Sequence, residues 1–293
     1  METERDSVGE GPRDDRTGAD GSARGVLTGA LAKLRERRNR PSLHVALDEG
    51  TGPVVVLVHG IASSSVTFEN VVPLIRSTHR VVAIDLLGFG GSPAPEGSTF
   101  TLEEHVDYLE RTLRRLELRR PFVLVGHSMG ALIAARYGAR RSTHLSGLVL
   151  VSPPIYLPPD VVGDPIDRAA MKIYRQVYDF LRGNPAFTIR NAAFVARLSP
   201  IKNALVVDET NWTAFVLSLE NSIESQTAIT DIAAVDTGIQ VVYGTLDPFL
   251  VPGALRIVER MRHVAVQKID GGDHLIRKRM ARVVAAAVDS LSR

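Results

Sequence analysis

From residue 43 onward the chain alternates short apolar runs with longer stretches in which apolar residues recur at helical spacing. The short runs are rich in Val, Ile and Leu, which is typical of strands covered on both faces. Strands are predicted at residues 43–47, 54–58, 80–84, 122–125, 147–151, 240–243 and 265–269. Helices are predicted between them at residues 68–76, 102–116, 129–139, 252–260 and 275–291. This order predicts an α/β fold, a mostly parallel sheet with helices on both faces.

The alternation stops between Pro153 and Asp236, where the pattern is helical and no buried strand is predicted. This region opens with a proline-dense run, and its helices are predicted at residues 166–181, 185–198 and 209–226. It carries much of the aromatic content of the chain, which suits an apolar lid over a pocket. We interpret residues 154–236 as a helical cap inserted into a core formed by residues 41–153 and 237–293.

Charged residues are unevenly distributed only at the N-terminal end of the chain. The first 23 residues hold seven acidic and three basic side chains with almost nothing apolar, so a disordered tail is predicted. Residues 24–40 hold six bases and one acid, with apolar residues at helical spacing, which predicts a short basic amphipathic segment. We favour a solvated helix that docks on its own domain. Weak contact of residues 24–40 with a membrane surface is the alternative.

Composition excludes several classes of function. A net charge of +2 gives no argument for a nucleic-acid partner, and no apolar run approaches the length of a membrane span. The chain begins without a signal-like segment, so a cytoplasmic location is expected. It has no cysteine, which rules out disulfides, thiolate zinc sites and a cysteine nucleophile. No cluster of histidines and carboxylates has ligand spacing, and neither a metal nor another cofactor is predicted.

The strongest chemical signal is the segment Gly126-His127-Ser128-Met129-Gly130, which follows a predicted strand and precedes a predicted helix. In this context a G-x-S-x-G pattern predicts a sharp turn that exposes the serine hydroxyl, and the glycines let neighbouring backbone approach closely. Ser128 is therefore the candidate nucleophile. An idle serine in a glycine-rich turn is the structural alternative.

A serine hydroxyl is protonated at neutral pH and needs a base, which in turn needs an acid to orient it. His274 follows the last predicted strand and is the strongest candidate for the base. Asp247 lies in the loop after the preceding strand, at the carboxyl edge where open α/β sheets place their sites. The other suitable position, directly after Val151, offers Ser152 and no carboxylate. His127 is expected to point away from the serine.

Acyl transfer also needs hydrogen-bond donors for the negative charge that develops on the carbonyl oxygen. The backbone N–H of Met129 is expected to be one donor, because it directly follows the nucleophile. The second is expected from Ile61, in the loop after the strand at residues 54–58, where Gly60 allows a tight turn. His59 is interpreted as a structural turn residue rather than a second base.

Taken together, the G-H-S-M-G segment, the His59-Gly60 loop, the run from Asp85 to Ser92 and the chain order Ser128, Asp247, His274 resemble the α/β-hydrolase superfamily. The resemblance covers residues 43–293. It implies an eight-stranded sheet with a cap inserted after the sixth strand, and it implies a structural rather than catalytic role for the segment that begins at Asp85.

The resemblance also narrows the chemistry. Haloalkane dehalogenases and epoxide hydrolases that look similar elsewhere use Asp where this chain has Ser128. Carbon–carbon hydrolases of meta-cleavage products typically have Trp after the histidine, where this chain has Leu275. We expect a serine hydrolase that cleaves a carboxylic ester with a small to medium, mostly apolar acyl group. The alternatives are a carbon–carbon hydrolase, a haloperoxidase-like member and a ligand-binding protein without catalysis.

Overall fold

A computed structural model describes residues 41–118, 120–157, 164–199, 201 and 205–292. The predicted tail and basic amphipathic segment, residues 1–40, lie outside the described residues, and so do Pro158 and Pro159 of the proline-dense run. None of the helices in the described ranges combines the length and apolar content that a bilayer span requires.

The strands form one sheet with the order β1-β3-β2-β4-β5-β6-β7. They are β1 (Val45–Glu49), β2 (Val54–Val58), β3 (Arg80–Ile84), β4 (Phe122–His127), β5 (Leu145–Val151), β6 (Ile239–Gly244) and β7 (Val264–Ile269). Only β1 runs antiparallel, against β3. Each strand overlaps one of the seven predicted from the apolar runs. The resemblance implied eight strands, and that number is corrected to seven for the part of the chain that the structure describes.

The helices of the described residues lie mostly where helical spacing predicted them. They are α1 (Val72–Ile75), α2 (Leu102–Arg115), α3 (Met129–Arg141), α4 (Pro165–Gly183), α5 (Pro185–Leu198), α6 (Trp212–Ser218), α7 (Ala228–Ala233), α8 (Pro252–Glu259) and α9 (Lys278–Leu291). A π-helical segment, Leu219–Glu224, follows α6, so the helix predicted at 209–226 is divided. We call the region of α4 to α7, between β5 and β6, the helical insertion.

The hydrophobic core has two parts, one on each face of the sheet. Val56 and Val58 of β2 belong to the cluster that includes buried residues of α2 and α3. Val55 and Leu57 belong to the cluster that includes buried residues of α1 and α9. Side chains of a strand alternate between faces, so a central strand must be apolar at every position to be buried on both. This is why central strands such as β2 appear in the sequence as uninterrupted apolar runs.

Because β2 and β4 to β7 are parallel, their carboxyl ends meet at one edge of the sheet. The register pairs His127 of β4 with Val151 of β5, and Val151 with Val242 of β6. The loops that follow these strands are therefore neighbours in space, although they lie far apart in the sequence. This edge carries all of the side chains that the sequence assigns to chemistry.

Candidate active site

Ser128 lies at the junction between β4 and α3, in a strained backbone conformation. Its φ of 54° and ψ of −125° fall in a region that residues with a Cβ rarely adopt. Its backbone N–H donates to the carbonyl of Val151 at 2.9 Å, which attaches the turn to the neighbouring strand. The residue is 7% exposed, so its hydroxyl is largely shielded from bulk water.

Two glycines make this turn sterically feasible. A Cβ on Gly126 would lie 2.2 Å from the carbonyl oxygen of Gly130, and one on Gly130 would lie 2.3 Å from that of His59. Both distances are far below van der Waals contact, so any side chain there would force the backbone apart. The geometry explains physically why both positions flanking Ser128 are glycine.

His274 and Asp247 are joined by a hydrogen bond. The His274 Nδ1 lies 2.8 Å from Asp247 Oδ2, and the Asp247 side chain is fully buried. A carboxylate only accepts, so Nδ1 carries the hydrogen and Nε2 of neutral His274 is left as an acceptor. The ring of Phe249 packs edge-on against His274, with 4.8 Å between ring centroids.

The Asp247 carboxyl is held in its ionised form. Burial alone would raise its pKa, but the hydrogen bond and charge of His274 lower it, as does the N–H of Phe249, which donates to Oδ1 at 3.0 Å. The net result is a pKa below the ordinary value of an aspartate. Asp247 is thus placed to accept from His274 and to stabilise a positive charge on its ring.

His127 supports His274 through a contact that the sequence did not reveal. Its Nε2 lies 2.8 Å from the backbone carbonyl oxygen of His274, and the two ring centroids are 4.9 Å apart. Burial, together with the nearby His274, lowers the pKa of His127 to about 3, so its ring is neutral and Nε2–H donates. The strand–turn–helix pattern in the sequence identified Ser128. It gave no indication that His127 would bond to the His274 carbonyl.

Ser152 is a second residue that sequence reasoning missed. It follows β5, has a φ of 47° and is fully buried. Its hydroxyl forms no well-aligned hydrogen bond with any residue that the structure describes. It nevertheless lies close enough to Asp247 to help lower the pKa of that carboxyl. The position directly after Val151, where the sequence offers no carboxylate, thus places the Ser152 hydroxyl beside the Asp247 carboxylate.

The loop after β2 packs directly against the turn at Ser128. A Cβ on Gly60 would lie 2.8 Å from the Cβ of Ser128. Among the residues that the structure describes, the N–H groups of Ile61 and Met129 donate to no backbone carbonyl of a turn, loop or cap. The first N–H groups of a helix such as α3 also have no partner within that helix. Both expected donors therefore belong to segments adjoining the serine.

His59 fixes the shape of that loop. Its Nδ1 lies 2.7 Å from the Gly60 carbonyl oxygen, and its Nε2 accepts from the N–H of Leu86 at 2.8 Å. Burial lowers its pKa to about 4, so the ring stays neutral. Both nitrogens are occupied by backbone groups, which gives His59 the structural role that the sequence suggested.

The run beginning at Asp85 is also structural. The buried Asp85 carboxylate accepts from the N–H groups of Ser65 and Gly91, each at 2.8 Å, and contacts His44 Nδ1 at 3.0 Å. These bonds join three loops beside the site. Asp85 is occupied by this network, which leaves Asp247 as the acid bonded to His274.

The helical insertion reaches the loop that carries Asp247. The hydroxyl of Tyr174, on α4, donates to the carbonyl of Pro248, and its ring stacks on Tyr156 with centroids 5.6 Å apart. The hydroxyls of Tyr156 and Tyr178 are 2.6 Å apart. Burial and several nearby groups, including Asp247, raise the pKa of Tyr178 to about 12. The three tyrosines form a polar cluster on the acid side of the site.

A family model described as "alpha/beta hydrolase fold" matches residues 53–276, which is most of the chain. This chain belongs to the α/β-hydrolase family. Its described residues contain no group of three or more His, Cys, Asp or Glu side chains placed to hold a metal ion.

This α/β-hydrolase is similar to curated proteins over part of its length. It is 40% identical over 123 residues to "Probable lysophospholipase BODYGUARD 4" of Arabidopsis thaliana, covering 40% of this chain and 28% of that protein. It is 31% identical over 154 residues to "Haloalkane dehalogenase 2" of Mycobacterium bovis, covering 53% of this chain and 50% of that protein. The matched region thus spans half or less of the length of these relatives.

Solved structures resemble this α/β-hydrolase across most of the chain. A serine hydrolase involved in carbazole degradation, the CarC enzyme, superposes with a TM-score of 0.62 at 23% identity, over 84% of this chain and 92% of that one. At this level of identity the similarity shows the fold.

Proposed function

We propose that this chain is a serine hydrolase that cleaves a carboxylic ester with a small to medium, mostly apolar acyl group. Ser128, His274 and Asp247 form its catalytic triad. The observation that carries the proposal is the 2.8 Å bond between His274 and the buried Asp247 carboxylate, at the same sheet edge as the strained turn of Ser128.

The proposed reaction begins when Ser128 Oγ attacks the ester carbonyl carbon and gives its proton to His274 Nε2. Asp247 stabilises the imidazolium that forms. The N–H groups of Ile61 and Met129 stabilise the oxyanion, and the tetrahedral intermediate collapses as His274 returns the proton to the leaving alcohol. Water, activated by His274, then attacks the acyl-enzyme, and the acid is released with Ser128 restored.

We extend the proposal to the helical insertion as a cap, residues 154–236, on a core of residues 41–153 and 237–293. The contact between Tyr174 and Pro248 supports this division, because it brings α4 beside the loop of the proposed acid. The aromatic residues of a lid suit a mostly apolar substrate. The cap then sets which acyl groups enter, while the core performs the chemistry.

The relatives support this substrate class unequally. The plant relative is named as a probable lysophospholipase, an activity that cleaves a carboxylic ester. The dehalogenase relative is named for another reaction, and the serine at position 128 disfavours that chemistry here. Carbon–carbon hydrolases of meta-cleavage products also use a serine nucleophile, so that reaction stays the alternative. Leu275, where that class typically has Trp, favours the ester.

The test is hydrolysis of p-nitrophenyl esters of increasing acyl length by the wild-type protein, with Ser128→Ala as the matched control. We expect turnover that disappears in the variant, with a maximum at short to medium chains. Turnover that persists in Ser128→Ala would remove the proposed nucleophile. No turnover by folded wild-type protein would favour the carbon–carbon alternative or a ligand-binding role.

A further inference from the structure

The outer surface of the helical insertion carries an apolar patch. Five large side chains are between 42% and 59% exposed there, and we call them the α4–α5 patch: Ile173, Val177, Phe180, Phe187 and Phe194. The rings of Phe180 and Phe187 touch, with centroids 5.1 Å apart, so the patch continues from α4 to α5. Contiguous exposed apolar surface of this kind marks a site of interaction more often than a solvated face.

Helix α4 is apolar on two faces, and only one of them is used within the described chain. Tyr178 is buried, and Met171 and Tyr174 pack against the main core cluster. Ile173 and Val177 lie one turn apart on the outer face and are exposed. A helix that only covers a core has a polar outer face, whereas one with apolar residues on both sides is normally covered on both. The outer face of α4 is therefore expected to be covered by a second apolar surface.

The charges beside the patch indicate what that surface is. Lys172 on α4 and Arg190 on α5 are exposed, and neither forms an ion pair with another residue that the structure describes. Asp179, the acid beside them on α4, is paired with Arg182. On a helical wheel Lys172 lies about 100° from Ile173, at the border of the apolar stripe. Apolar and aromatic residues flanked by exposed cations suit the interface of an anionic bilayer.

We propose that the α4–α5 patch docks on an anionic lipid surface, with the two helices lying in the plane of the interface. The apolar side chains enter the boundary between headgroups and acyl chains, while Lys172 and Arg190 contact lipid phosphates. A second copy of the chain fits less well, because a two-fold contact through the same patch would bring these cations against one another. The proposal does not depend on the ester chemistry.

Docking would also connect the bilayer to the proposed site. The outer face of α4 carries the patch, and its inner face carries Tyr174, which contacts the loop of Asp247. Tyr174 directly follows Ile173, so the two faces lie about 100° apart around the helix. Docking of the patch would therefore place α4, which contacts the loop of Asp247 through Tyr174, beside the bilayer.

The experiment is co-sedimentation of the full chain with vesicles of phosphatidylcholine alone and of phosphatidylcholine with about 30 mol% phosphatidylglycerol. We expect binding to the anionic vesicles, weakened by about 0.5 M salt. Phe180→Ser/Phe187→Ser should lower the partition coefficient about tenfold. The matched control is Leu74→Ser/Ile257→Ser, which removes two exposed apolar side chains outside the patch and should bind as wild type.

A second variant guards against loss of folding. Lys172→Glu/Arg190→Glu changes only exposed charges and should abolish the preference for anionic vesicles while the melting transition is preserved. Residues 24–40 are present in every variant. If vesicle binding depends on them alone, the patch variant and the control variant will bind equally, and that result would overturn the proposal. Association of the wild type in solution that is lost in Phe180→Ser/Phe187→Ser, without lipid binding, would overturn it in favour of a second copy.

Discussion

At the scale of single residues, Ser128 combines a reactive position with an unfavourable backbone conformation. Its φ of 54° is one that glycine adopts at low cost, whereas any residue with a Cβ is strained there. The turn is held in place by the close approach of Gly126 and Gly130 to neighbouring backbone. Stability and reactivity therefore make opposite demands on position 128.

We predict that Ser128→Gly is more stable than Ser128→Ala. Both variants remove the hydroxyl, but only glycine relieves the strain at positive φ, which offsets its larger loss of backbone entropy. The expected gain is about 0.5–1 kcal/mol in the free energy of unfolding. Urea unfolding of the two variants at neutral pH measures the difference. Equal midpoints would show that the surroundings of Ser128 have relaxed its strain.

The three proposed triad residues should differ in how much activity survives their replacement. Ser128→Ala and His274→Ala remove the nucleophile and the base, and each should lower kcat by about a million-fold. Asp247→Asn keeps the shape but favours the wrong histidine tautomer, so a loss of about ten-thousand-fold is expected. Steady-state ester hydrolysis with matched melting curves tests this order. An unimpaired Asp247→Asn would assign the acid to another residue.

At the scale of elements, the acid loop is held partly by the helical insertion. The Tyr174 hydroxyl donates to Pro248, the residue after Asp247, and also lies 3.4 Å from the Leu250 carbonyl oxygen. A net hydrogen bond of this kind contributes about 1 kcal/mol. Motion of the loop is thereby coupled to α4.

Tyr174→Phe should loosen this loop. We expect amide exchange in residues 246–251 to rise about two- to tenfold, with a similar fall in kcat. The matched control is Tyr137→Phe, which removes a hydroxyl bonded to His144 away from Ser128. Hydrogen exchange of residues 246–251, measured by mass spectrometry, distinguishes the Tyr174→Phe variant from the Tyr137→Phe variant. An equal response of both variants would show that the effect is not local to the acid loop.

The sequence predicted elements whose signal is local and missed features set by tertiary packing. All seven strands are predicted from apolar runs. The signal is strongest in central strands such as β2 and β4, because a strand buried on both faces admits little but apolar residues. The last helix begins at Lys278 rather than Leu275, because Asp273 accepts from the Leu275 N–H and closes a separate turn first. The placement of Ser128, Asp247 and His274 at one edge follows from strand polarity. The contacts of His127 and Ser152 do not, because each is made with a loop distant in sequence.

At the scale of the whole molecule, three buried neutral histidines make stability sensitive to acid. Burial is the largest cause in each case, and it lowers the pKa to about 4 for His59 and to about 3 for His105 and His127. In the unfolded chain a histidine takes up a proton near pH 6.5. Below that pH the unfolded state therefore binds more protons than the folded state, and the free energy of unfolding falls as the pH decreases.

The free energy of unfolding is predicted to fall between about pH 6.5 and about pH 4. Each of these histidines lowers it by about 1.4 kcal/mol per pH unit once that histidine is protonated in the unfolded chain. Urea unfolding at a series of pH values gives the slope. His105→Gln should reduce the slope by one proton, whatever its effect on absolute stability. A flat profile across the window would contradict the neutral state of the buried rings.

The polarity of the parallel sheet has a practical consequence for attaching the molecule to a surface. Helix α3 starts beside Ser128 and runs for 13 residues, so its far end lies about 20 Å from the reactive edge. Thr143 is exposed at that end, and the chain contains no cysteine. Thr143→Cys would therefore supply a unique thiol for immobilisation or labelling, with the reactive edge facing the solution.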